Sequence, residues 1–64
     1  MNPNILIVSN TSWYLYNFRL GLIKSLLERK YHVYTLAPED SSSIRLKDLG
    51  CFHYHLEMDN KGFN

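Results

Sequence analysis

The sequence has little of what small proteins use to make up for a small core. Cys51 is its single cysteine, so no disulfide can form within the chain. A domain of 64 residues buries only about 60% of the surface that its unfolded chain exposes. Disulfides or a metal usually compensate at that size. A lone cysteine also fits a reducing compartment. Excess charge is scarce too: the formal net charge is +1, which argues against a nucleic-acid partner. Hydrophobic residues make up 45%, too many for a disordered segment. No stretch approaches the roughly 20 apolar residues of a membrane span. Ile5–Val8 is too short for the core of a signal peptide, and no basic region precedes it. The expectation is a cytoplasmic globular unit. Glycine is sparse as well, with Gly21, Gly50 and Gly62 only. None stands in the turn after the first apolar run, and that shortage bears directly on function.

What is present reads as alternating strands and helices. Asn4–Ser9 is a strand whose apolar residues are consecutive, the pattern of a parallel strand covered on both faces. Asn10, Thr11 and Ser12 form a polar turn with three possible helix caps. A helical pattern follows from Tyr14 to Lys30, with Leu15, Phe18, Leu22 and Leu26 on one stripe and Ile23 and Leu27 beside it. Lys24 and Glu28 stand at pairing distance on the other side. Gly21 inside that helix points to a close packing contact. Tyr31–Ala37 is a β-branched and aromatic strand stopped by Pro38. Ser43–Leu49 is a short helix with Gly50 as its stop, and Cys51–Leu56 a third strand. Glu57–Asn64 reads as a polar loop.

The order β-α-β-α-β implies a parallel sheet, the start of a Rossmann-like α/β domain. Crossovers in such sheets are right-handed. If the strands advance in one direction, both crossovers put their helices on one face. The other face is then bare, although Ile5–Val8 reads as doubly covered. The expected unit is therefore incomplete, and on its own exposes an apolar sheet face and an unpaired strand edge.

Ligands of these sheets bind beyond the carboxyl ends of the strands. Three segments project there: Asn10–Tyr14, Pro38–Ser42 and Glu57–Asn64. A dinucleotide site needs G-x-G-x-x-G after the first strand, and Asn10–Leu15 contains no glycine. A Walker loop is absent too. Glu39–Asp40 stands where a ribose-binding acid would, but reads as a solvated turn without those glycines. A helix N-terminus attracts anions, and Arg19 is placed to reach back and hold a phosphate, or else to make a surface ion pair. Trp13 and Tyr14 can stack on a sugar ring or serve as lid or core residues. His53 and His55 share one strand face, but no third metal ligand lies nearby, so they read as packed or polar-facing strand residues. Cys51 reads as a small buried hydrophobe. No Ser-His-Asp motif is evident, and no cofactor or metal is expected.

The stretch ILIVSNTSWYLYNFRLGLIKSLLERKYHVYTLAPED, followed by RLKDLG and MDNKGFN, resembles the N-terminus of bacterial family 4 glycosyltransferases. The resemblance is closest to the subgroup that adds an amino sugar to polyprenyl-diphosphate-linked saccharides, and it covers essentially the whole chain. It implies a GT-B fold, in which residues 1–64 form the first part of an N-terminal, acceptor-side domain. The C-terminal nucleotide-sugar domain is absent from this sequence. It implies transfer of a hexosyl or N-acetylhexosaminyl group from a nucleotide-sugar donor to a saccharide or lipid-linked acceptor, in polysaccharide biosynthesis. Retention of configuration and metal independence are implied on the same ground. So is a cytoplasmic location at the inner face of the plasma membrane, with peripheral membrane contact by the full-length protein. The fragment alone is expected to be inactive, and its catalytic residues are not assigned. The acceptor-cleft candidates are Asn10, Thr11, Ser12, Trp13, Arg19, Asp59 and Lys61. Asp59 reads either as a base or as a loop charge paired with Lys61. Many relatives carry a Gly-Gly turn after the first strand; its absence here weakens the case for a backbone contact to the donor diphosphate. The competing reading is a non-catalytic half-Rossmann module that needs a partner chain. A flavodoxin-like or response-regulator-like domain fits less well, because the first strand ends in Ser9-Asn10 without an acid cluster.

Overall fold

A computed structural model describes residues 3–57 of the chain. It is an α/β structure with one three-stranded parallel sheet. Strands β1 (Asn4–Val8), β2 (His32–Ala37) and β3 (Phe52–His55) lie side by side in chain order. Ile5 stands opposite Val33, and Thr35 stands between Ile7 and His53. Helices α1 (Ser12–Phe18) and α2 (Leu20–Glu28) join β1 to β2, and α3 (Ser43–Leu49) joins β2 to β3.

All the helices pack on one face of the sheet. On β2 every second side chain is buried beneath them: Val33, Thr35 and Ala37. These join Leu15, Ile23, Leu46 and Cys51 in a single core, with Ile7, Leu26, Leu27 and Leu49 packed against it. The opposite face carries Leu6, Val8, Tyr34, Leu36, Phe52 and Tyr54, and no helix covers it. Leu6, Val8, Phe52 and Tyr54 are each 48–60% exposed. Tyr34 lies between the two aromatics of β3, stacked 5.0 Å from Phe52 and 6.5 Å from Tyr54. The consecutive apolar residues of β1 are therefore covered on one side only, which gives the bare face that the strand order implies.

The long helix expected over Tyr14–Lys30 is interrupted. Arg19 leaves helical geometry at φ −116°, ψ 10°, and separates α1 from α2. Hydrogen bonds bridge the break, from Arg19 N–H to Leu15 O and from Ile23 N–H to Arg19 O. The buried line runs through Leu15, Ile23, Leu26 and Leu27, so Phe18 and Leu22 fall on its margin and are exposed. Gly21 has no packing contact to explain it: a β-carbon there would meet no atom within 4 Å. Lys24 and Glu28 do not pair; the ion pair among the described residues is Lys47–Glu39 at 3.6 Å on the surface.

Both helices that lead into a strand end the same way. At α3, Gly50 adopts φ 117°, its N–H bonds Lys47 O, and the Cys51 N–H bonds Leu46 O. At α2, Lys30 takes the corresponding place at φ 70°, with Lys30 N–H on Leu27 O and Tyr31 N–H on Leu26 O. This paired pattern closes a helix and suits glycine. At Lys30 a side chain stands in the left-handed region instead.

Candidate functional site

The carboxyl end of the sheet gathers the turn after β1, the start of α1 and the loop from Pro38 to Ser42. A buried chain of hydroxyl groups joins them. The Asp40 N–H donates to Ser43 Oγ (3.0 Å), Ser43 Oγ donates to Ser12 Oγ (3.1 Å), and Ser12 Oγ donates to Pro38 O (2.7 Å). A backbone N–H can only donate and a carbonyl can only accept, so both ends fix the direction of this chain. The Ser12 proton is thereby committed to Pro38. His53 Nε2 lies 3.2 Å from Ser12 Oγ and must be the donor. Its other nitrogen, Nδ1, then accepts from Thr35 Oγ1 at 2.8 Å. His53 is held as the neutral Nε2–H tautomer. Among the described residues, every buried side-chain nitrogen and oxygen has a partner.

This arrangement brings a serine and a histidine together, yet it opposes nucleophilic chemistry. An activated serine gives its proton to the histidine. Here the histidine gives one to the serine, whose side chain is wholly buried. Burial and the nearby Lys47 ammonium push the His53 pKa down; Glu39 and Asp40 oppose that shift, and His55 adds to it slightly. Ser12 is thus a structural post and presents nothing to a cleft. Cys51 is also buried, and burial raises its thiol pKa away from the reactive thiolate.

The N-terminus of α1 does not await an anion. Thr11 Oγ1 accepts from Tyr14 N–H at 3.0 Å. Asp40 Oδ2 accepts from Trp13 N–H at 3.1 Å, while its Oδ1 accepts from Ser42 N–H at 2.8 Å. Asp40, which reads in sequence as a solvated turn residue, therefore ties the start of α1 to the start of α3. The chain supplies its own anion at this helix end, where the sequence leaves open either a phosphate held with Arg19 or a surface ion pair of Arg19.

Beside this framework lies an open groove of about 570 Å³, lined by Val8, Ser9, Asn10, Thr11, Trp13 and Tyr14. Trp13 is 54% exposed. It meets Phe18 edge-on at 5.5 Å, and Phe18 lies 5.0 Å from Tyr14. The Arg19 guanidinium stands 5.4 Å from the centre of the Tyr14 ring. Of the sequence candidates, Asn10, Thr11 and Trp13 line this groove, Arg19 packs over the ring of Tyr14, which also lines it, and Ser12 is buried and does not line it. Asp59 and Lys61 lie outside the described residues. The sequence marks Asp40 only as a ribose-acid position that reads as a solvated turn and His53 only as a packed or polar-facing strand residue, and it gives Thr35 and Ser43 no site role. Among the described residues no group of three His, Cys, Asp or Glu could hold a metal ion, and no helix is long and apolar enough to cross a membrane.

Comparison with known proteins found no matching family model, curated protein or solved structure.

Proposed function

We propose that this chain is the opening part of a Rossmann-like domain, the acceptor side of a GT-B glycosyltransferase. The complete enzyme would move a sugar from a nucleotide-sugar to a saccharide, lipid-linked in the reading taken from the sequence. One observation carries the proposal: the groove at the carboxyl end of β1 has aromatic and uncharged polar walls instead of a glycine cradle. Val8 and the faces of Trp13 and Tyr14 suit the apolar faces of a sugar ring, and Ser9, Asn10 and Thr11 are short polar groups of the kind that bind sugar hydroxyls. Asp40 already accepts from the Trp13 and Ser42 N–H groups, two backbone donors that a phosphate would otherwise use.

The bare face of the sheet supports the incompleteness of the unit, because parallel sheets are covered on both sides. It supports the competing reading equally, in which a separate partner chain supplies the second layer. Hydrogen exchange distinguishes the two. Protection of Ile5–Val8 and Val33–Ala37 in a monomer favours a module that folds by itself. Rapid exchange throughout favours a piece that needs the rest of its domain.

The sugar reading is tested by titrating the 64-residue chain with oligosaccharides and nucleotides and recording amide shifts. The expected result is a response of Asn10–Tyr14 to saccharides, lost in Trp13→Ala. A response to nucleotides with none to saccharides would overturn it.

A further inference from the structure

Two apolar surfaces stay exposed among the described residues, and they differ in charge. The bare sheet face offers Leu6, Val8, Tyr34, Leu36, Phe52 and Tyr54, with no charged side chain among them. The second surface belongs to the helix layer, across the sheet from the first. There Trp13 and Tyr14 both pack against Phe18, and Trp13, Tyr14, Phe18 and Leu22 are 40–59% exposed. The Arg19 guanidinium stands over the Tyr14 ring. From Ser9 to Leu27 the sequence has no acidic residue. Residues 9–30 carry four cations (Arg19, Lys24, Arg29 and Lys30) against Glu28, which is +3 in a chain whose total is +1, so the rest stands at −2. Asp40, the acid that reaches this segment, is held on the backbone N–H groups of Trp13 and Ser42.

We propose that this second surface docks on an anionic lipid membrane, lying at its interface without crossing it. Trp and Tyr settle at the level of the lipid headgroups. Phe and Leu bury in the acyl boundary beneath them. Arginine lays its stem along apolar surface while its charge stays in water. Each cation near an anionic leaflet strengthens binding about fivefold. The uncharged sheet face lacks that attraction and suits a second protein layer. The inference goes beyond the saccharide reading and does not depend on it.

Trp13 is the sole tryptophan and belongs to this surface, so its emission reports docking. The 64-residue chain is titrated with vesicles of phosphatidylcholine alone and of a phosphatidylcholine–phosphatidylglycerol mixture. The mixed vesicles should shift the Trp13 emission to the blue, with binding at least tenfold tighter than to neutral ones. Phe18→Ser combined with Leu22→Ser should weaken binding at least tenfold, and Arg19→Gln about fivefold. Phe52→Ser combined with Tyr54→Ser, on the sheet face, should leave binding within about twofold. Should a variant fail to fold, the wild-type chain in 1 M salt serves instead: the screening length there is about 3 Å, and the preference for mixed vesicles should shrink. Equal binding to both kinds of vesicle, or no blue shift with either, would overturn the proposal. So would binding lost in the Phe52/Tyr54 pair and kept in the Phe18/Leu22 pair, which would move the contact to the sheet face. The amide response to soluble saccharides is recorded without vesicles, so the saccharide reading stands or falls separately.

Discussion

Ser12 shows how much one side chain can hold. Its hydroxyl donates to Pro38 and accepts from Ser43 and His53, so it links both crossover loops to β3. Ser12→Ala would leave three partners short of a bond, two of them, Ser43 and His53, buried. A buried polar group left unsatisfied costs about 1–3 kcal/mol, and the total stability of so small a domain is about 3–5 kcal/mol. Urea titration should therefore show Ser12→Ala close to unfolded, losing about 2 kcal/mol or more. His53 makes the network sensitive to acid. An unfolded histidine takes up a proton near pH 6.5, whereas burial holds the folded His53 below that. The unfolded chain then binds more protons, so this contribution is complete above about pH 6.5 and fades as the pH falls from there to the folded pKa. Unfolding midpoints at pH 7.5 and 5.5 should differ accordingly, and His53→Gln should flatten the difference. None of this network was legible in the sequence. Ser12 and His53 are 41 positions apart, and neither Ser43 nor Thr35 belongs to a recognisable motif. Only the pairing of Thr35 with His53 across the sheet brings the imidazole to its partners.

At the scale of elements, the punctuation of the sequence was legible where conventional residues supplied it. Ser43–Leu49 begins after a run of serines, ends at Gly50, and forms the helix expected over just those residues. The end of α2 gave no such sign, because the left-handed position that closes it is filled by lysine. Lys30→Gly should relieve that strain and raise stability by up to about 1 kcal/mol, the reverse of Gly50→Ala, which should lose a similar amount or more. In sequence Gly21 reads as a packing glycine, because mid-helix glycine usually has a reason. The space around it is open, so Gly21→Ala should stabilise α2 by about 0.5–1 kcal/mol. Thermal melts of these three variants, compared with the wild type, decide each case. The buried stripe departs from the sequence pattern for a related reason. Phe18 and Leu22 have the spacing of core residues, but periodicity does not reveal that Phe18 joins Trp13 and Tyr14 on the outside.

For the whole molecule, the alternation of fully covered and uncovered faces dominates behaviour. Leu6, Val8, Phe52 and Tyr54 present a continuous apolar surface, which in water promotes self-association. Tyr54→Lys should reduce light scattering at high concentration and change the unfolding midpoint little, since that side chain packs against no helix. The β-α-β order and the one-sided placement of the helices were legible from crossover handedness and chain order. The groove was legible as a place, the turn after β1, though Ser12 is buried and does not line it. The strand order has a further consequence for how the chain is made. Among the described residues β2 and β3 each pair with the strand synthesised just before, so neither waits for a partner still inside the ribosome. Emerging N-terminus first, the chain can add β2 to β1 and then β3 to β2 at the pace of translation. One open edge of the sheet is thus always the last strand to emerge, while the outer edge of β1 stays open from the start.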